Sequence, residues 1–318
     1  MLEKFSCGFP GVVRIEPSSI CNLKCIHCPT GTTKANRGLM APQTFDVIIK
    51  NILKHQKQIR VVVLYHGGEP LLNKNFPNMV KQIKEIGIPL IKTVSNGMLL
   101  TDEMIEKTCE SGLDAIEFSL DGTSFEQNDF IRRGCNGREV VRNIKKMITY
   151  KKENAHLKPG ICISTTQFIK ETQNIPADTV PAVPNYLLEV FSDEINNKDL
   201  SFKTTFAMKW PDMNVDRKQF FVNGSGEESQ IQNFCDHVLN TITVRWNGDV
   251  VPCCYDLTSR VVLGNIYDDN LETIWNNQKY LRLRMSIYEK NFYPSLCDEC
   301  NTVKNHKYLC VKEDSKGT

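Results

Sequence analysis

Val12-Val13-Arg14-Ile15-Glu16-Pro17-Ser18-Ser19-Ile20-Cys21-Asn22-Leu23-Lys24-Cys25-Ile26-His27-Cys28 places three cysteines directly behind a short β-branched run. Such a run reads as a buried strand, so Cys21, Cys25 and Cys28 lie on one loop at its C-terminal end. The signature recurs at Arg60-Val61-Val62-Val63-Leu64, Leu90-Ile91-Lys92-Thr93-Val94, Ala115-Ile116-Glu117-Phe118-Ser119, Ile161-Cys162-Ile163-Ser164-Thr165 and, weakly, Leu200-Ser201-Phe202-Lys203. Helix-period segments lie between. Phe45, Ile48, Ile49, Ile52 and Leu53 share one face behind Pro42, and Met79, Val80, Ile83 and Ile86 repeat the pattern up to Gly87. Met104, Ile105 and Leu113 follow a cap at Thr101, and Val140, Val141, Ile144, Met147 and Ile148 make a fourth helix. A fifth, between about 179 and 192, contains Pro181 and Pro184. Six strands alternating with helices predict an α/β fold of repeated βα units with a parallel sheet. The cysteine loop then falls on the rim where α/β barrels place their active sites.

The chain has 318 residues, which at roughly 100 to 200 residues per domain predicts about two domains. Its 41 % hydrophobic and 24 % charged content belongs to a folded globular protein and excludes a disordered chain. Lys and Arg number 39 against 37 Asp and Glu, a formal charge of +2 that leaves no field to attract nucleic acid or an anionic membrane. No apolar run approaches the roughly 18 residues that span a bilayer. Met1-Leu2-Glu3-Lys4-Phe5-Ser6-Cys7 lacks a signal-peptide core, so the expected location is cytoplasmic, with neither nucleic acid nor membrane as partner.

Thirteen cysteines in such a chain point to metal, because a reducing compartment disfavours a disulfide scaffold. Cys7, Cys109, Cys135 and Cys162 stand singly and read as small buried hydrophobes. The rest fall into an early group and a late one, which suggests two sites. Three local thiolates suit a [4Fe–4S] cube whose fourth iron stays open for substrate or cofactor. A zinc ion that adds a ligand such as His27 fits the same spacing.

That spacing, with His27 in the usually aromatic position before the last cysteine, resembles the radical S-adenosylmethionine (radical SAM) superfamily. Gly67-Gly68-Glu69-Pro70 is similar to the family's GGEP motif, whose backbone and acidic side chain hold the methionine amino group of SAM. Ser95-Asn96-Gly97 and Ser119-Leu120-Asp121-Gly122 are similar to the SNG and SLDG elements associated with the ribose and methionine portions. Arg132 or Arg133 follows at the interval of an arginine for the SAM carboxylate, whereas His66 reads as a packed or hydrogen-bonded residue. Each element alone also reads as a turn, a loop or a solvated pair; all of them sit in order at expected strand ends. The resemblance implies a partial (β/α)6 TIM-like barrel in which the SAM amino and carboxylate groups bind the open iron of a [4Fe–4S] cluster on Cys21, Cys25 and Cys28. It further implies reductive cleavage of SAM to a 5'-deoxyadenosyl radical, an electron donor such as flavodoxin or ferredoxin, and a His27 that positions the adenine.

After about residue 205 the character changes, and the Gly/Ser/Glu stretch from 223 to 229 precedes a cysteine-rich tail. A domain of residues 1–210 is therefore expected before one of residues 211–318. Thr241-Ile242-Thr243-Val244-Arg245-Trp246, Asn247-Gly248 and Val250-Val251-Pro252 read as a hairpin with a two-residue turn, which brings Cys235 and Cys253 to one end. Cys297-Asp298-Glu299-Cys300 completes a four-thiolate set, which a structural zinc also fits. The arrangement resembles the SPASM extension, or its shorter relative the twitch domain. Carrying the resemblance are the Gly248 to Cys253 gap, Leu263-Gly264-Asn265-Ile266 and Leu271-Glu272-Thr273-Ile274-Trp275. A full SPASM domain has more cysteines after the CxxC, and here only Cys310 follows. The resemblance therefore implies one auxiliary [4Fe–4S] cluster on Cys235, Cys253, Cys297 and Cys300, in a small α+β domain. Cys254 and Cys310 are left as packing thiols, with Cys254 the candidate hydrogen-atom donor to a substrate radical.

The family implies hydrogen abstraction, and the fate of the radical ranges over dehydrogenation, epimerisation, crosslinking and fragmentation. Only 20 residues precede Cys21, too few for a leader-peptide-binding domain. This tilts the expectation to a small polar substrate, a carbohydrate or aminocyclitol, acted on by a radical SAM oxidoreductase or epimerase. A maturase that epimerises or crosslinks a ribosomal peptide is the runner-up. A non-catalytic iron–sulfur or zinc protein, serving redox or scaffold roles, explains the cysteines but not the strand-end series. Arg37, Tyr65, Thr165, Gln167, Lys209 and Tyr255 are polar residues of the expected barrel mouth and receive no role.

Overall fold

A computed structural model describes residues 2–170, 179–224, 232–291, 295–300, 302–303 and 307–312; residues 225–229 of the Gly/Ser/Glu stretch lie outside these. All six expected runs form strands. In chain order the strands are β1 (Val12–Ile15), β2 (Val61–Val63), β3 (Leu90–Ser95), β4 (Ala115–Ser119), β5 (Gly160–Gln167), β6 (Ile169–Lys170) and β7 (Leu200–Phe206). They are followed by β8 (Phe220–Gly224), β9 (Thr241–Val244), β10 (Asp249–Val251), β11 (Gly264–Asn265) and β12 (Lys307–Val311). β1, β2, β3, β4, β5 and β7 are parallel neighbours in that order, the wall of a partial barrel. The weakest run of the sequence, β7, pairs with β5 from Leu200 to Phe206.

Strand alternation sorts the two faces. Val13, Ile15, Ile91, Ile116, Phe118, Ile161 and Ile163 are at most 3 % exposed and pack under the helices Pro42–Lys54, Phe76–Glu85, Asp102–Glu110 and Gly137–Glu153. The opposite, inner face carries Arg14, Lys92, Glu117, Cys162, Ser164 and Lys203, polar side chains that an apolar core would reject. Thr101 caps its helix by accepting from the Met104 N–H at 3.2 Å. The helix expected across residues 179–192 starts only after Pro184, as Asn185–Val190 followed by Ser192–Asn196. Prolines supply no N–H and disfavour helical backbone in the residue before them, which delays the start. An additional helix, Phe125–Ile131, is capped by Ser124.

The late segment does not stand apart from the barrel. β9 runs parallel to β1 along its whole length, from Val12 opposite Thr241 to Ile15 opposite Val244. The sheet therefore extends to nine strands, ordered β11-β10-β9-β1-β2-β3-β4-β5-β7, and β1 becomes interior instead of an exposed edge. The hairpin turn is one residue longer than expected. Arg245 pairs with Asp249 and the Gly248 N–H donates to the Arg245 carbonyl, leaving Trp246, Asn247 and Gly248 as a three-residue loop with Gly248 at φ +89°. β12 returns to pair with β8 and β6, which buries Cys310 to 1 % exposure inside a three-stranded sheet. Among the single cysteines only Cys109 is fully buried; Cys7, Cys135 and Cys162 are half-buried, Cys162 because it lies on the polar inner face.

Candidate active site

The loop behind β1 is tied down before it reaches its cysteines. Glu16 is 0 % exposed, and its carboxylate accepts from the Gly67 N–H at 2.9 Å, from Arg245 Nε at 3.0 Å and from the Trp246 N–H at 3.2 Å. One side chain thus joins β1, the end of β2 and the late hairpin. Gly68 lies so close to the same loop that a Cβ there would come within 2.4 Å of the carbonyl oxygens of Ser18 and Ile20. A Cβ on Gly31 would meet the backbone of Cys25 at 2.5 Å. Both glycines exist for close approach of backbone to backbone. Arg37 spends its guanidinium on the carbonyls of Ser19 and Thr33 and so stitches the loop closed.

Cys21, Cys25 and Cys28 lie within electrostatic range of one another. Burial pushes the Cys21 thiol up to about 11 and the Cys25 thiol to about 12, so only a cationic ligand makes thiolates of them. As they stand, no three His, Cys, Asp or Glu side chains among the described residues converge on a single-ion site. The expected motif residues surround the loop. Glu69 is buried, and its carboxylate accepts from Ser95 Oγ and the Asn96 N–H, each at 2.8 Å, and from the Leu71 N–H at 3.1 Å. Burial raises its pKa above the usual carboxylate range despite these donors. The side-chain amide of Asn96 donates to Asn22 Oδ1 at 2.7 Å, which brings it against the cluster loop. The Gly67 carbonyl accepts from Thr30 Oγ1, so the backbone of Gly67 is engaged on both sides. Pro70 opens the short turn that Glu69 caps.

Asp121, 1 % exposed, sits 2.8 Å from Arg132 Nη1 and 3.6 Å from His27 Nε2, and its second oxygen accepts from the Thr166 N–H at 2.9 Å. Burial pushes Asp121 up, but the Arg132 guanidinium, with the Thr166 N–H, outweighs it and holds Asp121 below the usual carboxylate range. Burial lowers His27 and favours its neutral form. Ser119 ends β4 half-buried. The two expected arginines part company: Arg132 is buried in the ion pair with Asp121, whereas Arg133 is exposed. Arg133 lines a cavity of about 690 Å³ with Asn22, Lys24 and Thr32 of the cysteine loop. His27 Nδ1 and Arg132 Nε are buried beside the cysteines without a hydrogen-bond partner, the first a donor or acceptor by tautomer and the second a donor, and a polar cofactor would satisfy both. These residues fit SAM against an iron–sulfur cluster.

Cys235, Cys253, Cys297 and Cys300 are each 7 to 8 % exposed, and all lie within electrostatic range of one or more of the others. Four buried thiols brought together from distant parts of the chain, none in a disulfide, are a donor set for an iron–sulfur cluster. The loop behind Cys253 is held to the first site, because the Asp256 carbonyl contacts His66 Nε2 at 3.0 Å. Cys254 is half-buried, with its Sγ 3.7 Å from His237 Nε2, and lies within electrostatic range of Cys235 and Cys253. Among the unassigned mouth residues, Gln167 donates to the Ala182 carbonyl, Lys209 pairs with Glu299, and Tyr255 packs on Trp210. Thr165 is fully buried, and Tyr65 is half-buried beside Arg14. Sequence reading missed Glu16, Arg14, Arg245, His237 and Asp256; only Glu16, a carboxylate directly behind an apolar strand, left a local signal.

A parallel partial barrel with a three-cysteine loop on its rim and a four-cysteine group docked on the same sheet defines a two-site iron–sulfur protein. The chain belongs to the radical SAM superfamily, which it matches over residues 15–173, and residues 235–301 match the iron–sulfur cluster-binding domain SPASM. A [4Fe–4S] cluster and SAM come with the first domain, and an auxiliary iron–sulfur cluster with the second. The chain is 26 % identical to the tungsten-containing aldehyde ferredoxin oxidoreductase cofactor-modifying protein of Pyrococcus furiosus, over 93 % of this chain and 90 % of that one. Its fold is similar to the crystal structure of BtrN in complex with AdoMet and 2-DOIA, with a TM-score of 0.59, 16 % identity and coverage of 93 % and 94 % of the two chains. It is also similar to SuiB of Streptococcus suis bound to precursor peptide SuiA, with a TM-score of 0.57, 18 % identity and coverage of 89 % of this chain and 69 % of that one. Among the described residues no helix is long and apolar enough to cross a membrane.

Proposed function

We propose that this radical SAM enzyme removes a hydrogen atom from a small polar molecule of the carbohydrate or aminocyclitol class and oxidises or epimerises it. Bound SAM and the reduced cluster supply a 5'-deoxyadenosyl radical; the chain's own residues bind, orient and shield. In this reading Cys21, Cys25 and Cys28 hold the radical cluster, and Cys235, Cys253, Cys297 and Cys300 hold the auxiliary one. His27, Gly67, Gly68, Glu69, Pro70, Ser95, Asn96, Ser119, Asp121, Arg132 and Arg133 form or brace the SAM site. Glu69 and Asp121 act mainly as braces, since protein donors already occupy their oxygens. A reduced flavodoxin or ferredoxin in the cytoplasm supplies the electron.

The observation that carries the substrate class is the inner barrel face, where Arg14, Tyr65, Glu117, Ser164 and Lys203 offer charges and hydroxyls. Similarity to a fold solved with AdoMet and 2-DOIA agrees with a small ligand there. The test is anaerobic: protein, dithionite, SAM and a panel of ring-deuterated sugars and aminocyclitols, with 5'-deoxyadenosine read by mass. Deuterium appearing in 5'-deoxyadenosine supports the reading. Deuterium transfer from labelled peptides alone would replace it with the peptide-maturase reading, which the likeness to peptide-bound SuiB supports.

A further inference from the structure

Four arginines are buried among the described residues, and three of them are matched. Arg132 pairs with Asp121 at 2.8 Å and Arg245 with Glu16 at 3.0 Å, while Arg284 donates to the carbonyls of Val238, Phe5 and Trp275. Arg14 is the exception. Its neighbours Val13 and Ile15 are 0 % exposed in the helix-facing core, so alternation turns Arg14 to the inner barrel face. Its side chain is 8 % exposed, yet neither Nε nor Nη1 has a hydrogen-bond partner, and no carboxylate among the described residues pairs with it. Its guanidinium carbon lies 5.9 Å from the centre of the Tyr65 ring. Thr243, in register with Arg14 on β9, is 0 % exposed, and its hydroxyl is also without a partner.

A guanidinium cannot escape burial by losing its proton. An unpaired buried charge consumes a large share of the marginal stability a domain has, so its retention calls for a ligand that compensates it. Glu16, two residues along β1 on the same face, is taken by Arg245 at 3.0 Å and by the Gly67 and Trp246 N–H groups, and Glu117, three strands away on β4, by Lys203 at 3.4 Å. We propose that Arg14, helped by the Thr243 hydroxyl, binds an anionic oxygen group of the substrate, a carboxylate or a phosphate ester. The proposal rests on the inner face being the substrate site, and it narrows the substrate from a neutral sugar or aminocyclitol to one that carries an acid group. Planar two-point donation to such oxyanions is what arginine does best, and a flanking hydroxyl adds a further donor.

The experiment uses the anaerobically reconstituted protein and its Arg14→Met and Arg14→Lys variants, with inorganic phosphate and succinate as separate probes. Thermal midpoints are read against probe concentration, and SAM binding and SAM cleavage are measured on the same samples. The native protein is expected to gain stability with one or both probes, and Arg14→Met to bind about tenfold to a hundredfold more weakly. Without a probe, Arg14→Met is expected to melt higher than the native protein, because the unpaired charge is gone. Arg14→Lys should keep part of the response. A response to phosphate alone assigns a phosphate ester, and one to succinate alone a carboxylate. Equal shifts in native protein and Arg14→Met would mean an adventitious ion only, and weaker SAM binding in Arg14→Met would give the arginine to the cofactor; either result overturns the proposal. Loss of SAM cleavage in the native protein would instead defeat the functional reading, whatever the probes do.

Discussion

At the scale of single residues, His66 shows how burial sets chemistry. It is surrounded by Glu16, Arg14 and Arg245, and desolvation brings it from the ordinary 6.5 down to about 4. Above pH 6.5 both folded and unfolded chains carry it neutral. Between 6.5 and about 4 only the unfolded chain takes up the proton, so stability falls as the pH drops through this window and levels off below it. The full effect is roughly 3 kcal/mol. His66→Gln, which keeps a donor for the Asp256 carbonyl, should lose less stability than the native protein between about pH 7 and pH 5 in thermal melts. An unchanged pH slope in the variant would contradict the assignment. Gly68 gives a second expectation. Its φ is ordinary, so Gly68→Ala acts only by collision with the carbonyls of Ser18 and Ile20, which must move and take the cysteine loop with them. Reconstituted Gly68→Ala should hold about half the native iron, the loss falling on the first cluster. Full iron content with normal SAM cleavage would count against a steric role.

At the scale of elements, β9 decides how the molecule divides. Ile242 and Val244 are 0 % exposed in the same core as Val13 and Ile15, and each contributes roughly 1.5 to 3 kcal/mol by burial. A chain cut at residue 210 would lose them and leave β1 as a bare hydrophobic edge. Residues 1–210 alone are expected to aggregate or to melt without a cooperative transition, as seen by sedimentation and calorimetry. A soluble, cooperatively melting 1–210 would show that the barrel folds as an independent domain. Strand and helix positions were legible because alternating and helical apolar periods report local geometry: Val12–Ile15, Pro42–Lys54 and Gly137–Glu153 all fall where the pattern puts them. The parallel pairing of β9 with β1 left no such trace, since the two strands are more than two hundred residues apart and nothing in either spells its partner.

For the whole molecule, the expectation is two iron–sulfur sites that can be emptied separately. The native protein should reconstitute with about eight irons and matching sulfide, and about four should remain in a Cys21/Cys25/Cys28→Ala variant and also in a Cys235/Cys253/Cys297/Cys300→Ala variant. About four irons in the native protein, falling to near none without the first three cysteines, would put zinc or nothing in the late site. Cys254 separates the two radical fates. If the reaction is an epimerisation with this thiol as donor, Cys254→Ala should still cleave SAM but fail to incorporate solvent deuterium into product. Unchanged incorporation would end that role, and an oxidation would not need the thiol at all.

The sequence by itself determined the chemistry of the two cysteine groups and the strand ends that carry the motifs. Thiolate spacing and apolar period are local properties, written within a few residues of one another. Only the tertiary structure decided what those residues meet. It set Glu16 under the cluster loop and Asp121 against Arg132, ran the hairpin along β1, and left Arg14 buried with no carboxylate among the described residues paired to it. Those relations join segments far apart in the chain, and burial, which gives each of them its energetic weight, exists only once the segments are packed together.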